Sequence, residues 1–360
     1  MFIFWDLTYF RWKRIDCKIT LLAIALILPI QAFSACDAKN GIQPYCGISA
    51  PEDIVHVPGT QFLIASQLLD KSGALILFDT KTGEHKRFTP FVNAGYPPDR
   101  QKGDKTCSIP PSDFSFHGID LIRDTDGILS LLAIYHGEQD SVQLFGIIQS
   151  YNSIDLQWQG CVSIADNIIL NDVAALPQGG FVATASSRAV QGLNKPWQVI
   201  KWQKSSGTSV VMSFPTGYGN GISASANGKL LFVNDMTNGK VIKATLDQGE
   251  ILAEANIVHP DNNSWTDGGQ LLVTSVAIST IDQIMKCIQS REGHCNLPFL
   301  VTQLDPLTMT TKLLFSHDGK TVFGGATVAV QLGDKIYLGA FAGNRMASVL
   351  FDENHDVTKK

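Results

Sequence analysis

From residue 50 onward the chain carries no helical period sustained over three turns, and this constrains its fold more than any other feature. Short apolar runs alternate with turn signals, as at Thr82-Gly83, Asp126-Gly127, Asn227-Gly228, Asn238-Gly239 and Asp318-Gly319. The runs group into units of roughly 40–65 residues, the size of propeller blades with variable loops. The units span 52–90, 117–162, 171–214, 220–257, 261–316 and 325–352. Each opens on an alternating strand, such as Val173–Leu176, and continues with a flatter apolar one, such as Leu230–Val233 or Lys335–Leu338. The pattern predicts an all-β fold, a six-bladed propeller. The last unit is one strand short, so a segment near Tyr45–Ser49 is expected to close the ring. A parallel α/β fold would need amphipathic helices between strands; Ile281–Gln289 is at most a short helix in a loop. A β-sandwich remains the structural alternative, but it gives no reason for the recurrence described next.

A side-chain oxygen ligand stands just ahead of the first strand in four of the units: Glu52, Asn171, Asn220, and the pair Asp261 and Asn262. In a closed ring equivalent positions face one axis, so these oxygens would meet. Carboxylates and amides without thiolate or imidazole suit a hard cation such as Ca²⁺. Any one Asn or Asp is an ordinary turn residue; four at repeat spacing favour the cation. Asp53 and Asp172 follow Glu52 and Asn171 directly. Adjacent strand residues face opposite ways, so this pair can form a second, deeper cation site or simply cap strand ends.

The second unit opens instead with His117-Gly118-Ile119. A histidine beside a cation can serve as general base, although lone histidines in β-rich folds are more often structural. His136 ends the neighbouring strand and can orient it. The other histidines fall in turns, outer strands or the tail. The chain has no Gly-x-Ser-x-Gly elbow, phosphate loop or dinucleotide-binding glycine pattern.

Residues 1–35 read as a signal peptide. Arg11, Lys13, Arg14 and Lys18 precede an apolar core, Ile19–Ile30, and small residues follow near Ala35. That core is about 12 residues against the ~20 needed to span a bilayer, which disfavours a signal anchor. Phe33-Ser34-Ala35-Cys36 is a poor lipoprotein box. Residues 36–360 are then expected to form one propeller domain, periplasmic or secreted. Six cysteines remain after the leader, an even number that points to disulfides. Sequence does not fix their connectivity; short local loops favour Cys36–Cys46 and Cys287–Cys295, leaving Cys107–Cys161. The net charge of −5, with no Lys/Arg run in the mature region, argues against nucleic-acid or anionic-membrane partners. The oligomeric state is not legible.

Several phrases in order resemble the paraoxonase (arylesterase/lactonase) family, within the larger SMP-30/gluconolactonase-like group of propellers. They are Pro51-Glu52-Asp53, Phe114-Ser115-Phe116-His117-Gly118-Ile119, Tyr135-His136, Leu170-Asn171-Asp172-Val173, Asn220-Gly221-Ile222-Ser223, Asp261-Asn262, and Gly325-Ala326-Thr327-Val328-Ala329. The resemblance implies two calcium ions in a central tunnel. Glu52, Asn171, Asn220, Asp261 and Asn262 match the catalytic-calcium ligands. Asp53, Asp172 and the Ile119 carbonyl match the structural-calcium ligands, and His117 and His136 match a water-activating pair. The expected function is calcium-dependent hydrolysis of lactones or (aryl) esters, with a metal-polarised carbonyl and histidine-activated water. The family's long loop after the first inner strand is shortened here, to Gln67–Gly73. Val276 and Ser186 stand where the family's pocket has a histidine and an acid, so substrate preference does not carry over. The alternatives are a non-catalytic exported propeller with structural calcium, and a metal-free strictosidine-synthase-like propeller.

Overall fold

The computed structural model describes residues 36–351 apart from 70–71, 89–101, 105–106, 108–109, 112–114, 124–126, 151–152, 191, 278–280 and 290–292. The expected signal peptide therefore lies outside the described residues.

Six sheets make up the described chain, each built on an antiparallel meander that runs outward from an innermost strand. The inner strands are Pro51–His56, Phe116–Arg123, Ile168–Ala175, Gly219–Ala224, Pro260–Trp265 and Ala326–Leu332. Each inner strand lies against the next, and the sixth returns to the first, so the ring closes as a six-bladed propeller. The second strands explain the flat apolar runs of the sequence. Phe62–Gln67 and Leu271–Val276 are buried at every residue, because a blade is covered on both faces by its neighbours. The core accordingly divides into inter-blade layers. Ile64 and Leu77 of blade 1 pack on Phe116, Leu131 and Phe145 of blade 2, and Ile54 and Phe78 of blade 1 pack on Val328 and Tyr337 of blade 6.

Ring closure comes from the N-terminal side, as anticipated. Ile42–Cys46 pairs antiparallel with Arg345–Leu350, with Ile42 opposite Val349 and Cys46 opposite Arg345. The closing strand ends earlier than the expected Tyr45–Ser49. Gly47 turns out of it at a φ of 93°, and the Gly47 and Ile48 N–H groups both donate to the Asn344 carbonyl. Blade 2 has an unanticipated fifth strand, since Lys102–Gly103 pairs in parallel with Gly160–Cys161. The cysteines form Cys36–Cys46, Cys107–Cys161 and Cys287–Cys295. The first holds the closing strand and the second ties down the added strand of blade 2. The third anchors the short helix Ile281–Gln289 in the loop of blade 5. Among the described residues no helix is long and apolar enough to cross a membrane.

All six inner strands lose register at one place: between Pro51 and Ile54, Phe116 and Ile119, Leu170 and Val173, Gly219 and Ile222, Pro260 and Asn263, and Ala326 and Val328. A bulge re-aims the side chains it carries. The residues inside these bulges are the ones the sequence singles out.

Candidate metal and catalytic site

Five bulges hold residue pairs: Glu52-Asp53, His117-Gly118, Asn171-Asp172, Asn220-Gly221 and Asp261-Asn262; the sixth holds Thr327. Glu52, Asn171, Asn220, Asp261, His117 and Thr327 together line a cavity of about 300 Å³ at one end of the tunnel. Its remaining wall is largely apolar, with Leu68, Leu193, Met236, Val276, Ile284 and Phe341. Ile284 comes from the helix that Cys287–Cys295 anchors. Val276 lines this wall, whereas Ser186 stands on the second strand of blade 3, outside the lining.

The donors on the cavity floor are buried, Glu52 to 2% exposure. Glu52 Oε1 accepts from Asn262 Nδ2 at 2.8 Å, and Asn171 Nδ2 donates to the Tyr218 hydroxyl at 3.3 Å. Three buried oxygens, Glu52 Oε2, Asn171 Oδ1 and Asn220 Oδ1, have no hydrogen-bond partner. Orphaned buried acceptors are rare in folded proteins and mark an absent donor or ion. Asn262 is beside Glu52, but its amide nitrogen is committed to that carboxylate.

The second member of the bulge behaves differently. Asp53 Oδ1 accepts from its own neighbour Ile54 N at 2.8 Å, and Oδ2 accepts from Ile119 N of the next blade at 2.8 Å. Asp172 repeats this with Val173 N at 2.7 Å and Ile222 N at 2.7 Å. Glycine occupies the facing bulge in each case because there is no room for anything larger. A Cβ on Gly118 would meet Asp172 Oδ1 at 2.3 Å, and one on Gly221 would meet the Asp261 carbonyl oxygen at 2.5 Å. Asp53, Asp172 and Ile119 also line a second cavity, of about 220 Å³, which opens at the other end of the same strands. The bulge thus splits adjacent residues between two levels of one tunnel, as strand alternation predicts.

These carboxylates stand close enough to repel one another. Burial pushes Asp53 well above the ordinary carboxylate range, and the Glu52 charge pushes it further. Burial and the Asp53 charge do the same to Asp172, and burial and the Glu52 charge to Asp261. Glu52 and Asp261 face the first cavity, the charge that one divalent ion neutralises, whereas Asp53 and Asp172 share the second cavity with Asp120 and Asp267. Among the described residues no three His, Cys, Asp or Glu side chains gather by themselves as a metal shell. The donor set becomes one only when the amide oxygens are counted, and oxygen donors of this mixed kind fit calcium.

His117 joins the floor on one side, with Nε2 3.7 Å from Glu52 Oε1. Its Nδ1 lies 2.9 Å from His136 Nε2, and His136 Nδ1 lies 2.9 Å from Asp140 Oδ2. Burial lowers the His136 pKa against the opposing pull of Asp140, which keeps this ring neutral near pH 7. Burial also opposes ionisation of Asp140, but hydrogen bonds from His136, Leu170 N and Arg188 outweigh it and bring its pKa below the usual value.

The structure thus brings together Glu52, Asn171, Asn220, Asp261, Asn262, His117 and His136 at one level and Asp53, Asp172 and Ile119 at the next. Sequence reading missed Thr327, Tyr218 and Asp140. Thr327 occupies the sixth bulge and donates through Oγ1 to the Glu52 carbonyl at 2.6 Å. The quoted phrase Gly325-Ala326-Thr327-Val328-Ala329 was its only signal. Asp140 follows His136 by four residues in the turn Gly137-Glu138-Gln139, and that spacing was available to read.

Residues 133–275 match the family model of the SMP-30/gluconolactonase/LRE-like region. The match runs from the second strand of blade 2 to the second strand of blade 5. The fold is shared with a luciferin-regenerating enzyme at 11% sequence identity, covering 85% of this chain and 92% of that one with a TM-score of 0.52. It is shared as well with a gluconolactonase from Xanthomonas campestris at 12% identity, covering 86% and 89% with a TM-score of 0.52. No curated protein matches the chain by sequence. The family match thus covers the middle of the chain, and the likeness to the two solved structures is one of fold.

Proposed function

We propose that the protein is a calcium-dependent hydrolase of lactones or (aryl) esters, acting in an exported compartment on a small-molecule substrate. The observation that carries this reading is the set of three partnerless buried oxygens on the floor of an otherwise apolar cavity, with His117 at their side. A match to a gluconolactonase-type region and a gluconolactonase sharing the fold support the substrate class; the paraoxonase-like motifs favour esters as well.

Glu52, Asn171, Asn220, Asp261 and Asn262 hold the upper ion in this reading, and Asp53, Asp172 and the Ile119 carbonyl hold the lower. When bound, the upper ion supplies Lewis acidity to the substrate carbonyl and its developing oxyanion. Leu68, Leu193, Ile284 and Phe341 exclude bulk water and seat the apolar part of the substrate. His117 accepts a proton at Nε2 from the attacking water, supported through Nδ1 by His136. Disulfides in all three cysteine pairs favour export.

Turnover measured across a panel of lactones and aryl esters, before and after chelation, tests the proposal. Hydrolysis that vanishes with chelator and returns with added calcium is expected. A protein that binds calcium yet hydrolyses no member of the panel would instead be a binding propeller with structural metal.

A further inference from the structure

Behind the two histidines lies a chain of contacts that the hydrolytic reading does not require. Asp140 is fully buried, at 0% exposure. Its Oδ1 accepts from Arg188 Nη2 at 2.6 Å. Its Oδ2 accepts from Leu170 N at 2.8 Å and faces His136 Nδ1 at 2.9 Å. Arg188 is itself held by the carbonyls of Asp166 and Ile168. The aspartate comes from the turn after the second strand of blade 2, whereas Leu170 and Arg188 belong to blade 3. The seam between two blades thus clamps it.

The proton positions follow from which atoms can donate. An ionised carboxylate only accepts, so His136 must carry its hydrogen on Nδ1. A neutral His136 then has its lone pair on Nε2, which accepts from His117 Nδ1–H. A neutral His117 is left with its own lone pair on Nε2, the atom nearest Glu52 on the cavity floor.

We propose that Asp140 is a positioning residue for hydrolysis: clamped by Arg188 and Leu170, it fixes both histidines in the Nδ1–H form and so presents the Nε2 lone pair of His117 to the substrate cavity. This inference rests on the hydrolase reading. In the step it serves, water loses a proton to His117 Nε2 as its oxygen bonds to the carbonyl carbon. The ester C–O bond then breaks, and the leaving oxygen takes that proton back. In between, the positive charge gained by the histidine pair is balanced by Asp140, as in an Asp–His arrangement that orients a base without itself being protonated. Arg188 does not reach the cavity lining; it keeps the carboxylate ionised and in place.

Three measurements test this on the full, calcium-loaded protein. Imidazole ¹⁵N spectra of the wild type should show both His117 and His136 as neutral Nδ1–H tautomers; an Nε2–H form on either ring overturns the proposal without any substitution. Asp140→Asn can offer His136 an N–H in place of a carboxylate oxygen and should lower kcat by about 10²–10⁴-fold. KM and calcium affinity should remain near wild type, which a general loosening of the site would not allow. A folded Asp140→Asn with wild-type kcat, alongside a His117→Gln that is inactive, removes Asp140 from the mechanism but keeps the hydrolase. If His117→Gln is fully active as well, the histidine-base reading falls with it.

Discussion

The two levels of the tunnel are built from adjacent residues of the same bulges, yet they use their oxygens in opposite ways. At the upper level Glu52, Asn171 and Asn220 each keep a buried oxygen without a partner. At the lower level both oxygens of Asp53 and of Asp172 are taken up by backbone N–H groups, one from their own blade and one from the next. The lower carboxylates therefore fasten neighbouring blades whether or not an ion is present. The three upper oxygens make no hydrogen bond within the fold. The contrast separates a level tied into the ring from the level to which the proposed function assigns the chemistry, and it can be broken by perturbing one level at a time.

The largest effect is expected at the upper level. Glu52→Gln removes one of two carboxylates there. Loss of a second-shell partner alone costs 10–100-fold in metal affinity, so a drop of more than about 100-fold is expected for this ligand. Activity should collapse at low calcium and recover in part as calcium is raised, read by titrating turnover against free calcium. Unchanged calcium dependence would remove Glu52 from the shell.

Asp172→Asn strikes the lower level and should appear in stability before activity. A ligand at 100 times its Kd stabilises the folded state by about 2.7 kcal/mol. The calcium-induced rise in Tm should shrink accordingly, while turnover well below Tm stays within a few-fold of wild type. A full calcium shift in the variant would show that no ion binds between Asp53 and Asp172.

A smaller effect is one of pH, and its sign sharpens the contrast. Without calcium, Asp53, Asp172 and Asp261 have pKa values above those of the unfolded chain. Their contribution is fully favourable below the ordinary carboxylate range and is lost as pH rises through the raised values. Chelated protein should therefore lose stability as pH rises above the ordinary carboxylate range, relative to calcium-loaded protein, in which the ion replaces the protons. Melts at several pH values with and without chelator check the sign. The smallest effect belongs to Asp120, which burial raises to about 6 although Ala175 N and Leu121 N donate to it. Asp120→Asn should flatten the part of that slope that ends near pH 6 and leave calcium binding intact.

The propeller was legible because a blade covered on both faces writes itself as a flat apolar run, as in Leu230–Val233, and because turn glycines punctuate the strands. Glu52, Asn171, Asn220 and Asp261 were legible because the bulge recurs and places a side-chain oxygen at the start of successive units. What the sequence withheld was mostly decided between blades. Arg188 is 48 positions from Asp140 and meets it only across a seam. Thr327 fills the sixth bulge with a hydroxyl, a residue too common in strands to stand out. The fifth strand of blade 2 is just Lys102–Gly103, too short to carry a period, and pairs beside the Cys107–Cys161 bond.

The closing strand has a consequence for how the molecule is made. Tyr45 and Ser348, whose hydroxyls lie 3.1 Å apart, are separated by 303 positions. A chain that emerges N-terminus first must carry Ile42–Cys46 as an unpaired edge until its last blade exists, and such long-range pairings are slow to form. Both tunnel levels draw residues from blade 1 and from later blades, so neither is complete before that late contact. Under the proposed function, calcium met during export would then act as a latch on a finished ring rather than as a seed for folding.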